Sequence, residues 1–387
     1  MRPLAPRLLQ RTAAVLLGAA VFAAPAATPP AAAQSDSGTI RIGVIEMLTG
    51  SGAFYGNAVL DGIKVAQTEL DDKGGIMGKQ IELVIQDNAS DDAQTTTLMK
   101  QMAQDSSIGA VIPPTYQKNF LVACAAASSL HLAAVSAQSG PPDNKSNPEG
   151  WCFTMTTDPA TQISATFDYL HQKYGYSTFD MVYDQTNGYV AFQKPNIEAA
   201  AAAGNYTLNE IGVDGTNSDF SPQITSVLRD NPDALFPFLT IEDGARFMQQ
   251  ARLQGYSAPF FDPVSQLTSQ RLTSLSGGAA IGLIASTPQS AGDIPSFQSF
   301  LNTYQTTTGN SLDDPTYTGF GYDALNAIAA AMTAAETSTD RNAIQSAITQ
   351  LQNPCFSICF STETGGAFLA AKFYFVKLSD QGFVPDT

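Results

Sequence analysis

The sequence predicts an α/β protein of two doubly wound, Rossmann-like lobes, and three observations carry that expectation. Strand-like apolar runs alternate with helix-patterned segments almost throughout; the alternation starts afresh near residue 151; and three helix-like segments follow one another near 294–308, 317–335 and 340–352 before a final strand. Alternation of this kind is the mark of parallel strands covered on both faces by helices.

The first series opens with "TIRIGVIEM" (39–47) and the helical "YGNAVLDGIKVAQTELDDKG". It continues through "IELVIQD" and "DAQTTTLMKQMAQD", "IGAVIP" and "QKNFLVACAAASS", and then "LAAVSA". Near-continuous apolar strands fit burial on both faces of a sheet. The second series begins after "WCFTMTT" with the helix "ATQISATFDYLHQKYG". Strands "TFDMVY", "TLNEIGV", "DALFPFL" and "APFFD" alternate with helices "FQKPNIEAAAAAG", "DFSPQITSVLRD" and "EDGARFMQQARLQG". Two series of similar length imply two similar domains. After "AAIGLIAST", helices without intervening strands suggest that the chain returns to cover the first domain before recrossing to form "AKFYFVKLS". No long Pro/Ser linker separates the halves, so the crossings should be short and act together as a hinge.

The glycines in "DDKGGIMGKQIELVIQDNASDD" (71–92) raise the question of a phosphate cradle. They lie at the entering edge of a strand, whereas ligands of doubly wound sheets sit beyond the carboxyl ends. Gly74 and Gly75 are therefore expected to end the first helix and Gly78 to turn the chain into the second strand.

The amino terminus carries Arg2, Arg7 and Arg11, then the uncharged run Ala13 to Ala24, then a proline and alanine stretch ending at Ala33. This is the pattern of a secretory signal peptide, with cleavage expected after Ala33. The run is shorter than the roughly 18 residues needed to span a bilayer. The chain has 19 Lys and Arg against 35 Asp and Glu, a formal net charge of −16, and removing the leader makes it more acidic still. Such a charge disfavours nucleic acid and anionic membranes as partners.

Four cysteines in an exported chain suggest two disulfides, for which three connectivities exist. Cys355 and Cys359 can bridge only across a turn, which Pro354 and Ser357 favour; that leaves Cys124 with Cys152. His131 and His171 are distant in sequence from either pair, so no metal site is expected. No G-x-S-x-G elbow, phosphate loop or H-E-x-x-H motif occurs, so the chain reads as a non-enzyme without a cofactor. The pairs Asp91-Asp92 and Asp313-Asp314 read as helix caps. By the carboxyl-end rule the ligand-facing loops are Leu48–Tyr55, Pro113–Asn119, Ser136–Gly140, Tyr183–Tyr189, Leu239–Glu242 and Asp262–Gln266.

The opening residues 40–95, with their "LTG" and "YG", the run "KGGIMGKQIELV", and the Asp87 to Asp92 region, resemble the start of type I periplasmic solute-binding proteins of ABC transporters, the leucine/isoleucine/valine-binding group. "QQARLQGYSAPFF" and "FSTETGG" extend the resemblance over most of the chain. It implies two lobes joined by a three-crossover hinge: 38–156 plus 286–355, and 157–285 plus 356–387. It further implies a periplasmic, monomeric protein that captures a small amino acid-like or carboxylate solute, aromatic acids included, and passes it to membrane permeases. A sensor reporting to a receptor or regulator is the alternative, and a secreted hydrolase on a similar scaffold a third.

Carried onto this chain, the resemblance points the turn at Tyr116, Gln117, Lys118 and Asn119 toward a ligand carboxylate, with Gln117 where relatives often have a hydroxyl. Gln138 and Ser139 fall in the next ligand loop, Tyr55 would cover the solute from the first loop, and Tyr183, Tyr189, Thr240 and Asp262 complete the set from the second lobe. Phe54 and Phe238 would add apolar surface. The acid that holds an amino acid's ammonium group falls at Val264 in a gapless alignment, so Asp262 or Glu242 would have to replace it. The cysteine pairing makes one direct prediction: the native protein shows no reactive thiol to Ellman's reagent, and four reactive groups would overturn it.

Overall fold

The computed structural model describes residues 38–386 apart from 216 and 290–294, so the expected signal peptide at 1–33 lies outside the described residues. The chain begins with β1 (Ile40–Glu46), α1 (Ala53–Asp72), β2 (Ile81–Asp87), α2 (Asp92–Gln104), β3 (Ile108–Ile112), α3 (Gln117–Leu130), β4 (Ala133–Ala137) and β5 (Cys152–Thr156). It continues as α4 (Pro159–Tyr174), β6 (Thr178–Asp184), α5 (Gly188–Ala203), β7 (Thr207–Val213), α6 (Ser221–Asp230), β8 (Ala234–Phe238), α7 (Ile241–Leu253), β9 (Phe261–Asp262), α8 (Leu272–Leu275) and β10 (Ile284–Thr287). The remainder is α9 (Pro295–Thr308), α10 (Pro315–Ala334), α11 (Arg341–Thr349), β11 (Ala367–Leu369), β12 (Tyr374–Ser379) and β13 (Gly382–Pro385).

The first sheet is parallel, in the order β2-β1-β3-β4-β5-β11. Its inner strands β3, β4 and β5 bury every residue, while β2 at the edge is only partly covered. The second lobe holds β7-β6-β8 and β9-β10-β12-β13, joined where the Leu235 N–H donates to the Pro259 carbonyl at 3.1 Å. Its last two strands run antiparallel, so the chain can finish there with a tight hairpin.

The three successive helices do return to the first lobe. Phe297, Phe300, Phe320 and Ile344 bury into the same core as Val44 and Val111. The division expected at residue 355 falls too early, however. β11 pairs with β5, Ala367 opposite Thr154, and Phe360 and Phe368 bury in the first core, so the chain leaves that lobe only after residue 370. A three-residue strand carries no periodicity from which to read it.

Close packing of α1 on α10 fixes this return. A methyl group at Gly62 would stand 1.8 Å from the Thr318 carbonyl oxygen, and one at Gly321 would stand 2.1 Å from that of Val59. Each helix therefore uses a glycine to let the other's backbone approach. At the end of α1, Gly74 and Gly75 take φ of 100° and 75°, and the Gly75 N–H closes the helix on the Leu70 carbonyl at 2.8 Å. Gly78, at φ 79°, turns the chain into β2. Asp91 and Asp314 serve as caps, accepting the N–H groups of Gln94 at 2.7 Å and Tyr317 at 3.0 Å.

Both expected disulfides are formed. Cys124–Cys152 ties α3 to β5 with Cα atoms 5.2 Å apart, and Cys355–Cys359 closes a turn with Cα atoms 4.0 Å apart. His131 ends α3 in the left-handed conformation and stacks on Trp151 at 5.1 Å, a structural position.

Gly62→Ala is expected to destabilise the protein by about 2 kcal/mol, in the range for overpacking a tight contact. Urea denaturation would read this as a lowered midpoint at unchanged slope; an unchanged midpoint would mean the helices separate without cost.

Candidate functional site

The loops that leave the carboxyl ends of the two sets of parallel strands face each other. The β1–α1 connection leads to Tyr55, in the first turn of α1; the β3–α3 loop brings Thr115, Tyr116 and Gln117; and the β4 loop brings Gln138 and Ser139. From the second lobe come Asn187 and Tyr189 after β6, and Gln266 after β9. Tyr317, in the first turn of α10, closes the ring. Together these residues enclose a cavity of about 20 Å³, close to the room needed for a single water. Beyond it a wider cleft of about 490 Å³ opens past Lys118, Asp184, Thr240 and Glu242.

Local structure explains each placement. Tyr116 is the N-cap of α3 and gives no side-chain cap, so the first amide groups of that helix face the cleft without an internal acceptor. The Gln117 side chain accepts the Gly140 N–H at 2.6 Å through Oε1, which leaves its amide nitrogen for the cavity. Ser139 Oγ donates to the Thr115 carbonyl at 2.6 Å and meets Ser136 Oγ at 2.9 Å, so this hydroxyl chiefly locks two loops together. Gln138 stands at φ 57°, a left-handed turn that places its side chain among the lining residues. Asn187 caps α5 by accepting the Tyr189 N–H at 2.9 Å.

The aromatic wall is interlocked. The Tyr55 ring lies 4.7 Å from Tyr317 and 6.0 Å from Tyr116. Its hydroxyl oxygen accepts the Ile241 N–H at 3.3 Å, linking α1 of one lobe to the start of α7 in the other. Tyr189 accepts from Gln193 Nε2 at 3.3 Å and rests edge-on against Phe238. Burial raises all four phenols above the usual tyrosine range, so each keeps its proton as a donor.

Several expected contacts lie elsewhere. Lys118 sits at the outer cleft and pairs with Asp92 at 2.6 Å. Thr240 also borders the outer cleft and caps α7 by accepting the Asp243 N–H at 3.3 Å. Tyr183 lines neither space; the Lys194 ammonium lies over its ring. Asp262 is buried, and its oxygens accept the N–H groups of Val264 at 2.9 Å and Leu267 at 2.6 Å, organising the loop and facing no cavity. Val264 packs into the core of the second lobe. Glu242 is exposed at the cleft's rim. Thr115, Asn187 and Gln266 fall within loops legible from sequence, although the residues themselves were not singled out. Tyr317 was not legible at all, because it arrives on the returning helix.

Directly behind Thr115, Glu46 at the end of β1 is fully buried. Its carboxyl accepts the Thr115 hydroxyl at 2.8 Å and the N–H groups of Thr115 and Met47, each at 3.3 Å, and burial raises its pKa from 4.5 to about 8. Buried Asp323 is likewise raised to about 7, and Asp262 and Asp314 to about 6. Between the ordinary carboxylate value and its raised value, each group holds its proton when folded and releases it when unfolded, so folding takes up protons and stability falls as pH rises through that interval.

A family model described as periplasmic binding protein matches residues 39–382. The Leu/Ile/Val-binding protein of Escherichia coli K12 is 21% identical over 271 residues, spanning 66% of this chain and 69% of that protein. A leucine-binding protein structure from Thermotoga maritima superposes with a TM-score of 0.80 at 18% identity, covering 90% of this chain and 98% of that one. A solute-binding protein from R. palustris, solved in complex with benzoate, gives a TM-score of 0.77 at 17% identity and covers 90% and 96%. At such identities the two structures share the fold.

Glu46→Gln should keep the Thr115 contacts while removing one titration. Denaturation between pH 5 and pH 8 is expected to show wild-type stability falling with pH and the variant falling less steeply; parallel curves would mean that Glu46 ionises normally.

Proposed function

The chain belongs to the periplasmic binding protein family, and on that premise we propose that it is the extracytoplasmic solute-binding component of an ABC importer, closing its lobes over a small carboxylate or amino acid-like solute, aromatic acids among them. One observation carries the reading: hydrogen-bonding side chains from both lobes converge on one tyrosine-walled cavity, beside the uncapped amino terminus of α3. Free N–H groups at a helix start favour an anion. The tyrosine faces favour a flat or apolar body.

Closure follows from the placement of the contacts. Tyr55, Tyr116, Gln117, Gln138 and Ser139 belong to one lobe, and Asn187, Tyr189 and Gln266 to the other, so a solute that enters from the adjoining cleft of about 490 Å³ and widens this cavity gains all its contacts only when the lobes close around it. Its differential affinity for the closed state then shifts the population. The Tyr55 to Ile241 hydrogen bond is one interaction the closed state makes directly between lobes. Membrane permeases would read the closed form and receive the solute. Relatives named for leucine, isoleucine and valine and one holding benzoate bracket the solute classes to be tried.

A thermal-shift screen across amino acids, aromatic acids, aliphatic acids and amides is expected to find a solute that raises Tm, since ligand at a hundred times its Kd adds about 2.7 kcal/mol. With that solute, Tyr189→Ala and Gln117→Ala should each weaken binding about tenfold or more while the folded spectrum is kept. Small-angle scattering should show a smaller radius of gyration at saturation. Unchanged affinity in both variants would displace the site.

A further inference from the structure

Two acceptor oxygens in the interlobe cavity have no donor among the protein's described residues. Gln138 Oε1 comes from the first lobe and Gln266 Oε1 from the second, and the residues are only 8% and 5% exposed. The Gln266 amide has a defined orientation. Its Nε2 donates to the Leu239 carbonyl at 2.7 Å, so a reversed amide would set oxygen against oxygen. At Gln138 the backbone N–H donates to the Met155 carbonyl at 2.7 Å, which fixes the main chain from which the amide projects, while the side-chain amide itself makes no hydrogen bond among the described residues. Buried acceptors left unpaired in both lobes are costly to the closed form, and a solute that supplies donors relieves both at once.

The same cavity has no carboxylate among the residues that line it. Val264 is packed in the core, Asp262 is committed to backbone N–H groups, and Glu242 stands out at the rim. An ammonium ion drawn into this space would lose its hydration without meeting an opposite charge. An uncharged N–H or O–H donor needs only the amide oxygens. Opposite in character are the donors at the cavity: the Gln117 amide nitrogen, the hydroxyls of Tyr55, Tyr189 and Tyr317, and the start of α3, whereas the Tyr116 hydroxyl donates to the Ser51 carbonyl at 3.1 Å.

We propose that the solute presents an uncharged N–H or O–H group to Gln138 and Gln266 while its acid group faces Gln117 and α3, so that this protein selects a hydroxy acid or a carboxamide-bearing acid over the corresponding α-amino acid. Gln138 and Gln266 are thereby the specificity-determining residues of the cavity. This rests on the solute-binding reading above.

Isothermal titration with matched compounds separates the two. One set is leucine and its α-hydroxy analogue; the other is para-(aminomethyl)benzoate, para-(hydroxymethyl)benzoate and para-methylbenzoate. The hydroxyl member of at least one set is expected to bind about tenfold or more tightly than its partners. That preference should vanish in Gln266→Met and Gln138→Met, which should lose more affinity for the hydroxyl compound than for the methyl compound. The wild-type comparison stands even if a variant fails to fold. An ammonium member binding best, or hydroxyl and methyl members binding alike, overturns the inference and leaves solute binding intact. A solute found in the broad screen that carries no neutral donor also overturns it. No binding by any compound of either the matched sets or the broad screen removes the solute-binding reading itself.

Discussion

A parallel sheet must be re-entered from the same end by every strand, and the rest of this molecule depends on that constraint. Each crossover carries the chain back over a helix, so all the strand carboxyl ends, and the helix amino termini that follow them, gather at one edge. Two such sheets set edge to edge bring Tyr116, Gln117 and Gln138 from one lobe against Tyr189 and Gln266 from the other. Residues that meet in the cavity come from positions as far apart as 55 and 317 because the sheets gather loops, not neighbours.

The second determinant is the return of α9, α10 and α11 to the first lobe. Gly62 and Gly321 let α1 and α10 approach until backbone meets backbone, and that contact positions the first turn of α10 beside Tyr55. Tyr317 thus becomes a wall of a cavity formed otherwise by loops. The same excursion obliges the chain to cross between lobes again, after residue 370, which gives the hinge its last strand.

Charge is distributed in an uneven way. The protein is strongly acidic overall, yet its interlobe cavity is lined by neutral side chains; Glu242 stands exposed at the cleft's rim, and Glu46, buried behind Thr115, is protonated at neutral pH. A buried, uncharged lining strengthens each hydrogen bond made within it and makes each unmade one costly.

Composition and periodicity by themselves determined the α/β class, the two series of strands and helices, the loops at the strands' carboxyl ends and the turn role of Gly74, Gly75 and Gly78, because these follow from local pattern and from the geometry of parallel sheets. The cysteine pairing was legible as well, through the turn around Pro354 and Ser357. Local pattern does not say which side chain of a loop turns inward. Asp262 has the right charge and the right loop, but the backbone N–H groups of its own turn claim it, and Gln266, four residues later, takes the place at the cavity. Tyr183 and Tyr189 begin and end one loop, yet only Tyr189 reaches the cavity, since it lies on the first turn of α5 while Tyr183 still belongs to β6. Such choices, with the arrival of Tyr317 and the pairing of β11, were decided by tertiary structure alone: they depend on which backbone groups remain unsatisfied once distant segments have packed, and no local stretch of sequence contains that information.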